Sequence, residues 1–273
     1  MSREALETAL GARVTASRAL HGGDLSEVAL ATLSDGREVV LKRGARVATE
    51  ARMLLAIAAC GARAPEVLAQ AGEWLALEAL PEIAATPDGW LALGRELRRL
   101  HDTPGAGYGW GEGYGFGPLP LDNAPRATWP AFWAEARLLP FVPHLPTDLA
   151  RRVGALAERM PEVLPETPTP ALLHGDLWTG NALFMSGGAA LIDPACYHGH
   201  AEVDLAMLEL FGTPPAAFWQ GYGPIEPGRV ARRPVYQLFP ALVHLRLFGG
   251  GYAGMLRGLL DQADAHPDVR PGA

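Results

Sequence analysis

The sequence has 273 residues, of which 49% are hydrophobic and 19% charged, and its formal net charge is −7 at pH 7. A chain of this length can bury one large core or two modest ones. The acidic balance and the lack of a long basic run exclude a phosphate-binding stripe for nucleic acid. The polar start differs from a secretory signal, and no stretch approaches the roughly 18 apolar residues that span a bilayer. We therefore expect a cytoplasmic protein that binds neither nucleic acid nor membrane.

The first part of the chain predicts a small lobe that is rich in strands. After a short helix near residues 3–12, aliphatic and β-branched residues alternate around two turn signals, HGG at 21–23 and SDG at 34–36, as in antiparallel hairpins. The segment 48–62 has apolar residues at helical spacing and closes with Gly61, a typical helix C-cap. Residues 65–82 predict two further strands.

From Trp90 onward the pattern becomes mainly helical. An amphipathic helix is predicted at 89–102, followed by a glycine- and aromatic-rich loop and by helices around 129–139 and 147–160. A strand, a loop and a second strand lead to Asp193, and helices dominate the remainder. We predict an α+β, bilobal architecture. Residues 1–82 form a small β-rich lobe with one main helix, and residues 83–273 form a larger, mainly helical lobe.

The clearest chemical pattern is LLHGDLWTGNALFMSGGAALIDPA at residues 172–195. It places His174 and Asp176 after a short apolar strand, Asn181 five residues beyond Asp176, and Asp193 at the end of AALID. Phosphoryl transfer requires a carboxylate that orients the attacking hydroxyl and oxygen ligands for magnesium. The order His-x-Asp-x4-Asn with a later aspartate follows the catalytic loop and metal-binding aspartate of protein kinases. We expect one strand–loop–strand hairpin to supply all these groups.

Lys42 is the only lysine in the chain, and every other basic side chain is an arginine. A kinase-like fold needs an ammonium on a strand of the small lobe, where it contacts phosphates and is held by a glutamate on the following helix. Lys42 ends the strand-like EVVLK and Glu50 lies early in the next predicted helix, while an arginine fork would not replace a compact point charge. We predict that Lys42 and Glu50 form this pair, and that amides at Gly22 and Gly23 approach the phosphates. Taken alone, these features would also fit a solvated strand end and an ordinary turn.

Glycines occupy alternate positions from Gly105 to Gly117 and could be mistaken for a dinucleotide-binding fingerprint. That fingerprint needs a strand before it and a helix that begins inside it. Here a helix precedes the glycines and a proline-punctuated loop follows. We expect an ordered aromatic loop that covers part of the substrate cleft. His101, just before this loop, is expected to be a packed or capping residue.

These motifs resemble the fructosamine kinase (ketosamine-3-kinase) family, a branch of the aminoglycoside phosphotransferase and protein-kinase-like fold. The similarity runs over roughly residues 10–255. Its most specific parts are the tryptophan in HGDLWTGN and the run YHGHAEVDLAMLELFG. Further matching segments are YGWGEGYGFG, WPAFWAEARLLP and PVYQLFPALVHLRLFGGGY.

The resemblance implies ATP as phosphoryl donor and a ketosamine as acceptor, either a small molecule or a glycated protein lysine, phosphorylated at O3 of the sugar. It implies that Asp176 is the catalytic base and that Asn181 and Asp193 bind Mg²⁺. It also implies that Lys42 and Glu50 position the nucleotide phosphates.

Other residues receive supporting roles from the same resemblance. The segment LEAL is implied to be the interlobe hinge, with the backbone of Glu78 and Leu80 at the adenine. His174 and Asp204 are expected to brace the catalytic loop. The candidates for contacting the sugar are Trp178, Trp110 and Tyr114, whereas three other aromatic residues are expected in the core, namely Trp129, Phe132 and Trp133.

Three features depart from the family pattern, one of which is the absence of an expected glutamine after RLLP. The loop GGDLSE lacks the cysteine that permits redox-linked pairing of subunits in certain relatives, and Ala201 stands where an arginine is common. Substrate identity and subunit number therefore stay open at this point. Two alternatives also stay open: a kinase of the same fold that acts on an aminoglycoside, choline or thiosugar, and a nucleotide-binding regulator without catalysis.

Overall fold

The computed structural model describes residues 3–20 and 27–265. Gly22 and Gly23, predicted at the first hairpin turn, lie outside the described residues. The helices are α1 (Arg3–Leu10), α2 (Val47–Ala59), α3 (Pro87–His101), α4 (Trp129–Trp133), α5 (Thr147–Glu158), α6 (Met160–Val163), α7 (Glu202–Leu208), α8 (Ala216–Tyr222), α9 (Arg229–Phe248) and α10 (Ala253–Asp264). The strands are β1 (Val14–Ala19), β2 (Glu27–Leu33), β3 (Glu38–Arg43), β4 (Val67–Ala71), β5 (Trp74–Glu78), β6 (Tyr114–Phe116), β7 (Leu119–Leu121), β8 (Ala171–Leu173), β9 (Ala182–Met185), β10 (Gly188–Leu191) and β11 (Tyr197–Gly199). Within the described ranges, none of the helices combines the length and apolar character needed to cross a membrane.

The N-terminal part forms a five-stranded antiparallel sheet in the order β1-β2-β3-β5-β4. Lys42 lies in the central strand β3, opposite Val28 of β2 and Leu75 of β5. Helix α2 follows β3 closely and buries an apolar face that includes Met53, Leu54 and Ile57. Two neighbouring strands and a packed helix thus hold the backbone around Lys42, and the predicted β-rich lobe with one main helix is confirmed.

The remainder is mainly helical and has its own aromatic core, as predicted. Trp129, Phe132 and Trp133 are fully buried. The indole N–H of Trp129 donates to the hydroxyl of Tyr236 on α9 at 3.0 Å, so the polar edge of the ring is satisfied inside the core. The expectation that these three residues are core aromatics is confirmed.

The prediction that one hairpin carries the motif at residues 172–195 is wrong. β8 pairs with β11, whereas β9 pairs with β10, so the motif spans two separate two-stranded sheets. The chain leaves β8 through Gly175, whose φ is +80° and whose added Cβ would lie 2.1 Å from the carbonyl oxygen of Ala195. β11 occupies one edge of β8 and residues 103–105 occupy the other, through hydrogen bonds from Leu172 N–H to Thr103 and from Gly105 N–H to Pro170, so the following strand pairs elsewhere. The two sheets nevertheless meet at their ends, where Asp176 and Asp193 lie.

Helices α3 and α8 pack at backbone contact distance through two glycines. A Cβ atom at Gly94 would lie 2.2 Å from the carbonyl oxygen of Phe218, and one at Gly221 would lie 2.0 Å from that of Leu91. Both contacts are with backbone atoms, so a methyl group at either position would force the helices apart.

Gly221→Ala is expected to lower the free energy of unfolding by about 3 kcal/mol because of this overpacking. For a chain of this size the change corresponds to a fall in Tm of roughly 6–12 °C, measurable by thermal denaturation. Gly154→Ala is the matched control, since Gly154 lies within α5 with open space around its Cβ position. It is expected to raise stability by up to about 1 kcal/mol. Equal effects of the two substitutions would contradict the close backbone contact.

Candidate active site

A cavity of about 700 Å³ lies between the N-terminal sheet and the C-terminal helices. Its wall contains five predicted residues from both parts of the chain: Lys42, Glu50, Asp176, Asn181 and Asp193. The geometric prediction that these groups converge on one cleft therefore agrees with the structure.

Lys42 links the two parts of the cavity. Its Nζ lies 2.5 Å from Glu50 Oε1 and 2.7 Å from Asp193 Oδ1, and the side chains of Lys42 and Glu50 are both buried. Burial disfavours the ammonium, but the carboxylates of Glu50 and Asp193 outweigh that effect and raise the pKa of Lys42. Lys42 is therefore a fixed positive charge at neutral pH, held between the central strand, α2 and the end of β10.

Asp193 has an unusual backbone. It has φ +54°, the left-handed region, and among the described residues it is the one non-glycine residue with a positive φ. Such a conformation in a residue with a side chain is uncommon and persists where the surroundings impose it. The turn directs the Asp193 carboxylate toward Lys42 while the chain passes on to β11.

Asp204, one of the two residues predicted to brace this loop, binds the backbone of the turn that leads to Asp176. Its carboxylate is fully buried and accepts hydrogen bonds from the backbone N–H groups of His174 at 2.7 Å and Gly175 at 2.9 Å. A carboxylate that accepts two backbone N–H groups fixes their direction more strongly than a neutral acceptor does. Asp204 thereby connects the start of α7 to the turn that precedes Asp176.

His174 connects the two small sheets. Its Nε2 lies 2.8 Å from the carbonyl oxygen of Ile192, so this nitrogen carries the proton and donates. The other ring nitrogen, Nδ1, accepts from the backbone N–H of Asp176 at 3.3 Å. Burial lowers the pKa of His174, which keeps the ring neutral and suited to this donor–acceptor pair. The His174 ring thus joins the backbone of Asp176 to that of Ile192, the residue before Asp193.

His101 is buried, as expected, but sequence reasoning missed its position beneath the catalytic loop. Its Nε2 lies 3.1 Å from Asp204 Oδ2, and its Nδ1 lies 2.8 Å from the hydroxyl of Tyr222. Helix α3 ends at His101, so the packing of α3 on α8 determines where this ring lies. A histidine at the end of a helix gives no local signal of an aspartate that is far away in sequence.

Asp204→Asn is expected to lower kcat by about 10²-fold, because the two backbone N–H groups lose a common anionic acceptor and the loop that carries Asp176 shifts. The same change should lower the free energy of unfolding by about 2 kcal/mol. Steady-state kinetics at saturating substrate and thermal denaturation measure the two effects. Asp261→Asn, at an exposed position on α10, is the control. A variant with wild-type kcat but lowered stability would limit Asp204 to a structural role.

Asn181 lies beside Asp176 on a short 3₁₀ turn, Thr179–Asn181. Its Nδ2 donates to the backbone oxygen of Asp176 at 2.7 Å and to Asp176 Oδ2 at 3.1 Å. Both recorded contacts come from the nitrogen, which leaves Oδ1 as the free acceptor of the amide. Burial raises the pKa of Asp176 to about 7; the bond from Asn181 opposes the rise, and the negative charges of Asp193 and Asp204 add to it.

The predicted sugar and adenine contacts are only partly gathered in this cavity. Trp178 and Tyr114 line it, and the Trp178 ring covers Gly180 so closely that a Cβ there would lie 2.3 Å from a ring atom. Trp110 is not among the described lining residues; its ring stacks on His198 at 6.0 Å. Glu78 and Leu80 are also outside this wall. The Glu78 carboxylate accepts a hydrogen bond from Arg63 at 2.7 Å, and the backbone N–H of Glu78 donates to the carbonyl oxygen of Glu66.

The glycine- and aromatic-rich loop contributes residues 114–117 to the cavity wall, and it is also tied to α2. Arg46 donates to the carbonyl oxygen of Gly117 at 2.7 Å, and Arg52 Nε donates to Glu112 Oε1 at 2.5 Å. Thr49 also donates to Glu112 at 3.3 Å. These contacts lie on both sides of Glu50 along the chain, so the loop and the glutamate that holds Lys42 are parts of one connected structure. The lone glutamate within the glycine run was the available sequence signal.

A lysine on an antiparallel sheet pairs with a glutamate on the next helix and with a strand-end aspartate, and the same cavity contains an aspartate and an asparagine of one loop. This fold and arrangement define a protein-kinase-like phosphotransferase.

A family model described as fructosamine kinase matches residues 2–265. The chain therefore belongs to the fructosamine kinase family, and as a kinase it uses ATP as its phosphoryl donor.

Individual relatives agree with this assignment. A "Probable ketoamine kinase" of Synechocystis sp. is 41% identical over 202 residues, which cover 69% of this chain and 67% of the relative. A protein of the same description from Thermus thermophilus is 36% identical over 248 residues, covering 87% of this chain and 90% of the relative. The crystal structure of a "putative fructosamine-3-kinase" from Thermobifida fusca has a TM-score of 0.90 at 31% identity, covering 96% of this chain and 98% of that one.

Proposed function

We propose that the protein transfers the γ-phosphoryl group of ATP to a sugar hydroxyl, O3, of a ketosamine. Family membership supplies the reaction class, a phosphotransferase that acts on the sugar hydroxyl of a ketosamine. The observation that carries the assignment of residues is the position of Lys42, whose ammonium contacts both Glu50 and Asp193 in the cavity that also contains Asp176. Either a free ketosamine or a glycated protein lysine could serve as acceptor under this proposal.

The N-terminal lobe, which we take as residues 1–82, would bind the nucleotide. Lys42 contacts the α and β phosphates, and Glu50 holds its ammonium in place. The backbone of Glu78 and Leu80 is proposed to meet the adenine at the hinge. Residues 83–273 would carry the catalytic groups and the acceptor site.

The residues around Asp193 fit Mg²⁺. A hard divalent cation prefers oxygen ligands, and the site offers the Asp193 carboxylate and the Oδ1 of Asn181, whose amide nitrogen is already used. We propose that these two side chains hold the ion, which supplies charge neutralisation for the phosphates when bound. The Asp193 carboxylate is 40% exposed, so a ligand can reach it.

Asp176 would orient the acceptor hydroxyl and accept its proton. A carboxyl group whose pKa is about 7 can take a proton from a reacting hydroxyl and release it again near neutral pH. His174 and Asp204 accept hydrogen bonds from the backbone N–H groups of residues 174–176 and so hold the segment that leads into this group. Trp178 and Tyr114, on the cavity wall, are proposed to contact the sugar, whereas Trp110, which stacks on His198, lies outside the described lining.

The test is ADP release from Mg-ATP in the presence of a fructosamine and, separately, a ribulosamine. Both rates are compared with an ATP-only blank, and phosphorus NMR of the product identifies the phosphorylated oxygen. The same assay with an aminoglycoside, choline or a thiosugar as acceptor tests the alternative substrates. No stimulation above the blank with either ketosamine would refute the proposal, and phosphate at another oxygen would correct the position.

A further inference from the structure

The cavity continues beyond the catalytic groups into an aromatic cluster to which the mechanism assigns no role. We define this aromatic cluster as Phe211, His244, Phe248 and Tyr252, all of which line the cavity. The ring centroid of His244 lies 5.0 Å from that of Phe211, 5.5 Å from Phe248 and 5.0 Å from Tyr252. Phe211 and Phe248, which both lie beside the His244 ring, are 45% and 51% exposed, so the cluster presents apolar surface to solvent.

The cluster is connected to the catalytic loop through α7. Asp204 on α7 binds the backbone of the loop, while Val203 and Met207 of the same helix line the cavity and Phe211 follows just beyond the helix end. Helix α9 is fixed against α7 by a hydrogen bond from Gln237 to the carbonyl oxygen of Ala206 at 2.9 Å. The wall therefore passes from Asp176 across α7 to the C-terminal half of α9.

This end of the cavity is almost without charge. From Val203 to Tyr252, the described lining residues include no lysine, arginine, aspartate or glutamate. His244 is the one ionisable group with a basic nitrogen there, and its Nδ1 donates to the carbonyl oxygen of Pro240 at 2.8 Å. A ligand carboxylate placed here would find aromatic faces and methyl groups in place of a cation, which is an unfavourable exchange for its hydration.

The chemistry of a ketosamine determines which part of it reaches the cluster. The amine nitrogen is bonded to C1, two carbons from the C3 that carries the acceptor hydroxyl. With that hydroxyl at Asp176, the nitrogen lies within a few ångströms and the group attached to it has to extend away from the phosphates. The cavity offers that group the path along α7 and α9.

We propose that the aromatic cluster binds the organic group on the amine nitrogen, and that it selects apolar or aromatic groups over groups that carry a carboxylate close to the nitrogen. The inference rests on the proposed function. Among glycated amines it favours the methylene stem of a lysine side chain or an arylalkyl amine over the α-amine adduct of a free amino acid. The half-exposed rings at the cavity mouth leave room for such a stem to continue into solvent.

The test compares two acceptors with the same sugar, the benzylamine adduct and the glycine adduct. We expect the wild-type kcat/KM to be at least about tenfold higher for the benzylamine adduct, since burial of a phenyl group is worth that much or more. Phe248→Ala and, separately, Phe211→Leu are expected to lower the ratio of the two kcat/KM values about tenfold and about threefold. Val230→Ala, on an exposed part of α9 away from the cavity, is the matched control and should keep the wild-type ratio.

The outcomes separate this inference from the function on which it rests. Equal kcat/KM values for the two adducts, or variants of the cluster that keep the wild-type ratio, would overturn the subsite while leaving a ketosamine kinase. A change of the ratio in Val230→Ala as large as in Phe248→Ala would overturn it as well. No ADP release above the blank with either adduct would instead overturn the proposed function. Thermal denaturation of each variant confirms that the fold is retained, as expected for side chains that are half exposed.

Discussion

Asp176→Asn is expected to lower kcat by about 10²- to 10⁴-fold, the range for loss of a general base. The amide keeps the shape of the carboxylate and can still contact Asn181, but it cannot accept the proton of the acceptor hydroxyl. The Mg-ATP dissociation constant should stay within about threefold of wild type, because Asp176 is proposed to act on the acceptor and not on the nucleotide. Initial rates of ADP release at saturating substrates give kcat, and isothermal titration calorimetry gives the nucleotide affinity.

The matched control for this variant is Asp148→Asn, an exposed aspartate of α5 that pairs with Arg257. It should have wild-type kcat. A fall in kcat for Asp176→Asn of less than about threefold would contradict the assignment of the base. A large loss of nucleotide affinity in the same variant would place Asp176 on the phosphate side of the cleft.

Lys42→Met is expected to lower kcat/KM for ATP by about 10²- to 10³-fold. This is the usual effect of losing one preorganised hydrogen-bond donor that stabilises negative charge in the transition state. It also leaves the buried Glu50 carboxylate without its partner at 2.5 Å, so the free energy of unfolding should fall by about 3 kcal/mol. Kinetics at varied ATP concentration and thermal denaturation measure both effects. Arg43→Met, at the neighbouring exposed position of β3, is the control.

Lys42→Arg separates charge from shape. The guanidinium keeps the positive charge but is larger and planar, and it has to fit between Glu50 and Asp193 in a buried space. We expect kcat/KM for ATP to remain at least tenfold below wild type. An arginine variant with wild-type kinetics would show that the solitary lysine is not required by the geometry.

The single lysine also offers a direct probe of occupancy. Because Lys42 carries the only lysine ε-amine in the chain, an amine-acylating nucleotide analogue can label one side chain only, apart from the terminal amine. Its low exposure and its two ion pairs predict slow labelling by ordinary reagents and faster labelling by a nucleotide-directed one. Protection by Mg-ATP, followed by mass spectrometry of the peptide, tests the nucleotide contact independently of turnover.

Local patterns predicted the elements well where short-range physics decides them. The helix α2 ends at Ala59, and Gly61 beyond it has φ +75°, as the C-cap signal indicated. The alternating residues before and after the SDG turn became β2 and β3. Helix α3 begins at Pro87, earlier than predicted, because the side chain of Thr86 accepts a hydrogen bond from the N–H of Gly89 and Pro is favourable in the first turn.

The sequence by itself determined which chemical groups the site contains. No tertiary information was needed to find the single lysine on a strand and the glutamate on the next helix. The same holds for the spacing of Asp176, Asn181 and Asp193, since each signal depends on residue type and short-range order. The tertiary structure decided how they are held. The pairing of β8 with β11, the contact of His101 with Asp204, and the arrival of α9 beside α7 each join segments that are distant along the chain. Such contacts depend on competition among many long-range partners for the same backbone groups and apolar faces, and a local pattern of residues carries no record of which partner wins.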